Sequence, residues 1–337
     1  MLELIFTILM LVIGIIILTK GSAWMTDSLA PVAEKLGTSY IAVASIIVSI
    51  MLSIPEVFVA LYAFILGHEG ISLGVIIGSI ICNIGLMTGL SATIKPLSVD
   101  RRVVIRDGVF AFIIALIVLI FGWDLHYSRS EGLVLLLMFI PYVLNVWFFE
   151  KWRPMEEKKE DIKEISEELK VIGLSGFDVK HGLFKPGIFL FIVGSLMLLV
   201  GSYIFSGYLV DIAKLTGLSD VLIGLTIGAI GPSIPNVASA IQGTIKNYTK
   251  IAITETFGAD IFTLLVTLGL LAVVVPFNIE QKWLFFDIPM MILMTALMML
   301  FIFRGHIRKQ NAITRSEGAA LVIIYIVFLL LNILIIK

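Results

Sequence analysis

The sequence predicts an all-α integral membrane protein with ten transmembrane helices, arranged as two inverted five-helix repeats. Three observations support this prediction: the number of long apolar segments, an internal repeat, and a one-sided distribution of basic residues. The chain has 337 residues, of which 59% are hydrophobic and only 15% are charged. This composition is far more apolar than that of an ordinary soluble domain.

Ten segments are long and apolar enough to cross a bilayer, which takes about 20 residues of α-helix. Six are apolar runs and four are longer and rich in glycine; in chain order they are 2–18, 40–66, 70–94, 103–122, 131–149, 186–200, 219–243, 249–275, 283–303 and 319–336. The first has no small-residue cleavage site, so we expect it to be retained as a helix rather than removed as a signal peptide.

The two halves of the chain match when one is shifted by 180 residues. Gly14 then meets Gly194, and Ser53-Ile54-Pro55 meets Ser233-Ile234-Pro235. Each half holds five spans, an odd number, so the second half enters the membrane from the opposite side, as in many secondary transporters. The predicted divisions are a first repeat over 1–149, a connecting loop over 150–185 and a second repeat over 186–337.

Basic residues predict the orientation. With ten spans, 20 of the 24 Lys and Arg residues fall on one side of the membrane, eight of them in 150–185. Positive residues favour the cytoplasmic side, so we expect cytoplasmic placement of the 150–185 loop, external termini and a multi-pass protein of the cell membrane. A net charge of −1 argues against a nucleic-acid partner, and the single cysteine, Cys82, excludes an internal disulfide.

A proline beside an acid interrupts the second span, in the sequence "SIIVSIMLSIPEVFVALYAFIL". Pro55 has no N–H to donate, so it predicts a kink or break that frees carbonyls around Met51 and Leu52. Together with the Ser53 hydroxyl and the Glu56 carboxylate, these oxygens form a hard ligand set that suits Na⁺ or Ca²⁺. The alternative is a protonated Glu56 with a structural role, although acids at this depth are usually functional.

The seventh span repeats the pattern in "IGLTIGAIGPSIPNVASAIQ", with Asn236 where the first has Glu56. It predicts free carbonyls near Pro232 and adds Pro232, Ser233 and Asn236 to the candidate site. The spans that follow the two interrupted ones contribute further polar groups: Ser79 and Asn83 in the third span, and Asp260 and Thr263 in the eighth. Asn83 and Thr263 also fit a role in helix packing. Either Asp260 or Glu255 could bring a second carboxylate, and Asp260 is favoured because it lies deeper and near Thr263.

The segments "SIPEVFVA", "GSIICNIG", "GPSIPNVASA" and "GADIFTLL" resemble the two alpha-repeats of the calcium/cation antiporter family, the sodium/calcium exchangers. The resemblance implies a motif G-T-S-x-P-E in each half, whose two Glu residues face one Ca²⁺. Glu56 matches the first, whereas Asn236 replaces the second. Ala259 and Thr263 stand where prokaryotic relatives commonly have Ser and Asp.

The resemblance implies a secondary active antiporter that exchanges Ca²⁺ for Na⁺, or for H⁺, at a mid-membrane site around Glu56. Movement of the first and sixth helices past the ion-binding bundle would give alternating access. Two alternatives stay open: an exchanger of monovalent cations (Na⁺, K⁺ or H⁺), and a non-transporting protein on the same scaffold. We expect no enzymatic activity, no cofactor and inorganic cations as ligands. A monomer suffices for the site, and the oligomeric state is left open.

Overall fold

The structure is a computed structural model that describes residues 2–35, 40–98, 104–151, 188–246, 249, 251–307 and 312–335. The predicted loop 150–185 lies outside the described residues except for 150 and 151, and the side chain of Leu52 lies outside them as well. In the described ranges nine helices are long and apolar enough to cross a membrane, and the apolar helix Ser53–Ile65 belongs to one further span.

These ten helices confirm the predicted number of spans and are labelled α1–α10. They are α1 Leu2–Lys35, α2 Tyr40–Ile65, α3 Glu69–Ile94, α4 Val109–Phe121, α5 Arg129–Lys151, α6 Ile188–Thr216, α7 Asp220–Ile245, α8 Ile251–Val274, α9 Ile288–Ile307 and α10 Arg315–Ile335. Helices α3 and α8 are largely enclosed by the rest of the protein, whereas α1 and α5 are mostly exposed, as expected of helices that face lipid.

The two outer helices α1 and α6 pack against each other along their length. A Cβ added to Gly21 would lie 2.9 Å from the carbonyl oxygen of Gly194, and one added to Gly194 would lie 2.8 Å from the carbonyl oxygen of Gly21. Gly201 meets Leu18 in the same way. Residue numbers rise on one helix as they fall on the other, so the pair is antiparallel, as inverted repeats require.

The core is built where α3 and α7 run side by side in the same direction. Gly70 faces Asp220, Gly74 faces Gly224, and Gly78 faces Ala229. Small residues at spacings of four let the helix backbones approach closely. Further along α3, Gly85 and Gly89 meet α10 at Tyr325 and Val322, so the glycines of this helix serve packing.

Helix α2 continues through Pro55, and α7 continues through Pro232 and Pro235. The prolines therefore do not break these helices, and the prediction of a break is wrong. Near Pro232, the chain instead widens into a π-helical turn at Gly224–Gly228, which ends four residues before that proline. Local π geometry is one way in which membrane helices accommodate proline.

Helices α3 and α8 carry matching π-helical turns, at Asn83–Thr88 and Thr263–Leu268. The two turns are related by the 180-residue offset and begin at two of the predicted site residues. Such π-bulges are frequent at functional sites. Shorter π turns at Val104–Gly108 and Trp283–Asp287 precede α4 and α9.

Two strand pairs join the repeats, one at each end of the bundle. Strand β1, Leu97–Ser98, pairs with β4, Ala312–Ile313, and strand β2, His126–Tyr127, pairs with β3, Phe277–Asn278; both pairs are antiparallel. The end of the bundle that holds β1 and β4 is called the Lys246 end, after the residue that follows α7. Thr249, three residues further on, accepts a hydrogen bond from the Ser98 N–H of β1. The opposite end is called the His68 end, where the His68 ring and Asp220 are 2.6 Å apart.

Candidate functional site

The candidate site lies midway along α2, α3, α7 and α8, where the repeat places polar side chains inside an apolar core. Each of the four helices contributes: α2 gives Glu56, α3 gives Asn83, α7 gives Ser233 and Asn236, and α8 gives Asp260. All five side chains are almost fully buried. Two helices come from each half of the chain, so both repeats are needed to form the site.

Glu56 contacts the two residues that occupy the corresponding motif in the second repeat. Its Oε1 atom accepts hydrogen bonds from Ser233 Oγ at 3.1 Å and from Asn236 Nδ2 at 3.3 Å. Asn236 thus faces Glu56 directly across the repeat interface. The two neutral donors stabilise one carboxylate oxygen without adding a charge.

A second polar pair crosses the interface between α3 and α8. Asn83 Nδ2 donates a hydrogen bond to Asp260 Oδ1 at 3.1 Å. The carboxyl groups of Asp260 and Glu56 are close enough to interact electrostatically. Asp260 therefore lies in the same buried polar group as Glu56.

Three oxygen atoms of this group have no hydrogen-bond partner in the described part of the chain: Glu56 Oε2, Asn83 Oδ1 and Asp260 Oδ2. Each is buried, and an unsatisfied buried oxygen is costly, most of all on a carboxylate. Among the described residues, neither acid pairs with a Lys, Arg or His. The arrangement therefore lacks positive charge and offers three oxygens to a cation.

The described residues hold no group of three or more His, Cys, Asp or Glu side chains that could bind a metal. The oxygens at the candidate site come instead from two acids and one amide. This donor set suits a hard ion such as Na⁺ or Ca²⁺ rather than a zinc-like metal.

The other predicted site residues are buried around this group but make different contacts. Ser53 Oγ donates to the carbonyl of Ala259 at 3.5 Å, which links α2 to α8. Ser79 Oγ donates to the carbonyl of Ile76 in its own helix at 3.0 Å. Pro232 and Thr263 are buried, and Thr263 begins the π turn of α8. Glu255 is also buried, more than one helical turn before Asp260.

A family model described as sodium/calcium exchanger protein matches residues 6–148 and 186–334, on either side of the connecting segment. The chain belongs to the sodium/calcium exchanger family. Members of this family are membrane transporters, and the exchanger is a multi-pass integral membrane protein.

Named relatives extend over nearly the whole exchanger. The sodium/calcium exchanger MaX1 of Methanosarcina acetivorans is 28% identical, and the alignment covers 95% of this chain and 97% of the relative. The inner membrane protein YrbG of Escherichia coli is 27% identical, with 88% of each chain covered. A structure of the sodium-calcium exchanger NCX_Mj, soaked with Na⁺ and Ca²⁺, superposes with a TM-score of 0.63 at 25% identity and covers 96% of this chain and 97% of its own.

Sequence reasoning missed part of the polar interior of the exchanger. Buried hydroxyl groups continue from the site toward the Lys246 end, at Thr88, Ser91, Ser239, Thr244 and Thr256. They form no recognisable motif in the sequence. Comparison of each with its partner at the 180-residue offset is the signal that could have found them, because those partners are apolar.

Proposed function

We propose that the protein is a secondary active antiporter that exchanges Ca²⁺ for Na⁺, or for H⁺, through the site formed by Glu56, Asn83 and Asp260. The observation that carries this proposal is the set of three buried oxygens without hydrogen-bond partners, from two acids and an amide. A buried carboxylate is strongly destabilised unless a cation or a proton offsets its charge. Binding of a cation satisfies these oxygens.

Charge counting supports a divalent ion. Glu56 and Asp260 together supply two negative charges, which neutralise one Ca²⁺ or two monovalent cations. Affinity for Ca²⁺ rises with the number of charged ligands. With Asn236 in place of a third acid, Ca²⁺ is neutralised rather than held by excess charge, which favours release as well as binding.

The surrounding helices support alternating access. Glycine contacts join α3 to α7 in the core, whereas α1 and α6 pack against each other as an antiparallel pair on its outside. We infer that this pair moves relative to the core to expose the site to one side at a time, the kind of rigid-body motion expected of inverted repeats.

A calcium-flux experiment tests the proposal. The protein is reconstituted in liposomes, and uptake of Ca²⁺ is followed on imposing an outward Na⁺ gradient. We expect uptake that Glu56→Gln and Asp260→Asn each reduce by at least about 100-fold, since each leaves the ion with one uncompensated charge, worth about 3 kcal/mol or more.

Glu69→Gln and Asp124→Asn are the matched controls, because both acids are exposed near the His68 end. Their uptake should equal that of the unchanged protein. Full Ca²⁺ uptake by the Glu56→Gln variant would contradict the assignment of the site.

Exchange of monovalent cations is the second candidate. The observation in its favour is that the neutral amide of Asn236 donates a hydrogen bond to Glu56, at the position where the repeat pattern predicts a second glutamate. Gradients of Na⁺, K⁺ and H⁺ imposed on the same liposomes separate the two functions: monovalent exchange without Ca²⁺ movement identifies the second.

The basic residues also support a proposed orientation in the cell membrane. Lys246 and the 150–185 segment belong to the side that carries most of the Lys and Arg residues, so we place the Lys246 end in the cytoplasm and the His68 end outside.

A further inference from the structure

The half of the core between the site and the Lys246 end is polar inside, although it is buried. Five hydroxyl side chains line α3, α7 and α8 there, at Thr88, Ser91, Ser239, Thr244 and Thr256, and each is at most 3% exposed. With a helical rise of 1.5 Å per residue, they lie about 4 to 12 Å from the level of Asn83, Asn236 and Asp260. The carboxylate Glu255 is buried at a similar depth on α8.

These residues share one region, because the helical segments that carry them pack against one another in all three pairings. Segment Ala229–Ile245 of α7 packs against Asn83–Ile94 of α3 and against Ile251–Phe262 of α8, and the last two also pack together. Thr88 Oγ1 and Thr256 Oγ1 are 2.7 Å apart, which fixes the contact between α3 and α8. We name the following six side chains the polar lane: Thr88, Ser91, Ser239, Thr244, Glu255 and Thr256.

The hydroxyls of the polar lane are not all satisfied by their own helices. Buried Ser and Thr in membrane helices commonly donate to the carbonyl four residues earlier, as Thr256 does to Ala252 at 2.8 Å. Ser91 Oγ, Ser239 Oγ and Thr244 Oγ1 have no partner in the described part of the chain. Three unsatisfied hydroxyls in one buried region are explained by water or an ion as their partner.

The mirror half of the core is apolar at the same positions. The 180-residue offset pairs Ser239 with Val59, Thr244 with Phe64, Ser91 with Leu271, Thr88 with Leu268, Thr256 with Ile76 and Glu255 with Val75. All six partners are buried. The described part of this half, toward the His68 end, still holds two buried hydroxyls without partners, Ser72 and Thr267, but its six lane positions carry no polar side chain.

We propose that the polar lane is the passage by which a partly hydrated cation moves between the Glu56–Asp260 site and the Lys246 end, and that no equivalent passage exists in the mirror half. Hydroxyl oxygens replace part of the ion's water shell at each step, whereas the valine, leucine and phenylalanine side chains opposite exclude water. Access from the two sides of the membrane therefore follows different routes despite the repeat. The identity of the transported ion in this inference rests on the proposed function, whereas the route does not.

Thiol accessibility tests the route. Cys82 is the only cysteine and is buried, so Cys82→Ala gives a background for single cysteines at Ser239, Thr244 and Ser91 and at their mirror positions Val59, Phe64 and Leu271. The full chain is placed in lipid nanodiscs, where both faces are accessible, and labelled with a cationic, water-soluble methanethiosulfonate. Each variant is first shown to keep the thermal unfolding transition of the background.

We expect the three lane cysteines to react at least about tenfold faster than their mirror partners, because a thiol without access to water does not form the reactive thiolate. Similar rates in the two sets, whether fast or slow, would overturn the proposal. Labelling does not depend on which cation is carried. If the labelling rates differ but no Ca²⁺ flux is seen, the passage is supported and Ca²⁺ as the transported ion is contradicted. If Ca²⁺ flux is seen but the labelling rates are similar, the transported ion is supported and the passage is contradicted.

A second variant separates passage from binding. Ser239→Val places the mirror residue in the lane and should slow ion exchange severalfold while leaving the ion-induced shift in melting temperature unchanged. Val59→Thr is the matched isosteric change and should not affect the exchange rate. Equal effects of the two variants, or loss of the ion-induced shift in Ser239→Val, would contradict a role in passage.

Discussion

At the scale of single residues, the contact between Asn236 and Glu56 distinguishes the site from a symmetric one. The repeat places the two side chains opposite each other, and the structure brings Asn236 Nδ2 to 3.3 Å from Glu56 Oε1. An amide at this position removes the repulsion that two facing carboxylates would exert without an ion. In the proposed site, the second acid is Asp260 on α8.

Restoring the acid tests this interpretation. Asn236→Glu should raise the affinity for Ca²⁺ by about tenfold or more, since a third charged ligand is added and a factor of ten corresponds to about 1.4 kcal/mol. It should also lower the melting temperature without ions, because two carboxylates then face each other. Thermal unfolding over a Ca²⁺ titration measures both effects.

Asn236→Gln is the control for the size of the new side chain. It lengthens the residue as Glu does but adds no charge, so it should not increase the Ca²⁺-dependent shift. A larger shift in the Gln variant than in the Glu variant would show that shape, not charge, determines the affinity.

The residues of the site could be predicted from the sequence more completely than their contacts. Glu56, Ser233 and Asn236 follow from the repeated proline motif, and the structure brings them together. The bond between Asn83 and Asp260 could not be predicted, because helical spacing gives the face of each side chain but not which face of another helix it meets. Pro55 was expected to kink or break its helix, and the break is wrong because the helix continues through it. Membrane helices tolerate proline where neighbouring helices satisfy the freed backbone groups.

At the scale of helices, α3 and α7 approach each other closely at their glycines. A Cβ on Gly224 would lie 2.5 Å from the carbonyl oxygen of Ile71, and one on Gly74 would lie 2.6 Å from the Cα of Gly224. Both distances are shorter than real Cβ contacts, and the opposing atoms are backbone. The spacing of these glycines was readable from the sequence, whereas the identity of the partner helix required the fold.

Gly224→Ala should therefore destabilise the protein by about 1–3 kcal/mol or more, the usual cost of overpacking. Gly207→Ala is the matched control, because a Cβ there meets nothing within 4 Å. Thermal unfolding in detergent should show a lower melting temperature for the first variant and an equal or higher one for the second. Equal losses in both would indicate a general intolerance of change rather than a close contact.

At the scale of the whole molecule, the two repeats agree more closely in the caps of their helices than in their ion pairs. Ser128 and Thr314 cap α5 and α10 in the same way, each donating from its backbone N–H to a glutamate three residues later, at 2.8 and 2.9 Å. The acids before α4 and α9 differ: Asp107 forms a bidentate pair with its neighbour Arg106, whereas Asp287 lies 3.2 Å from Lys282. Lys282 also donates to Asn332 of α10.

Lys282 therefore connects α9 to α10 at the His68 end. Lys282→Ala leaves Asp287 buried without its cation, and loss of one partner from a buried pair costs about 3–5 kcal/mol. The melting temperature should fall accordingly. Arg304→Ala is the control, because its nitrogen lies 3.9 Å from Glu317 and its own side chain is half exposed; pairs with such solvent access contribute about 0–1 kcal/mol.

The pairing between halves has a consequence for biosynthesis. Strands β1 and β2, helix α1 and the carboxylate of Glu56 all have their partners in the second half, which the ribosome delivers only after the first half has entered the membrane. Until then the strand edges are open and Glu56 has neither Ser233 nor Asn236 beside it. A charged acid without partners is unfavourable in lipid, so we expect Glu56 to take up a proton or keep contact with water until the last five helices arrive.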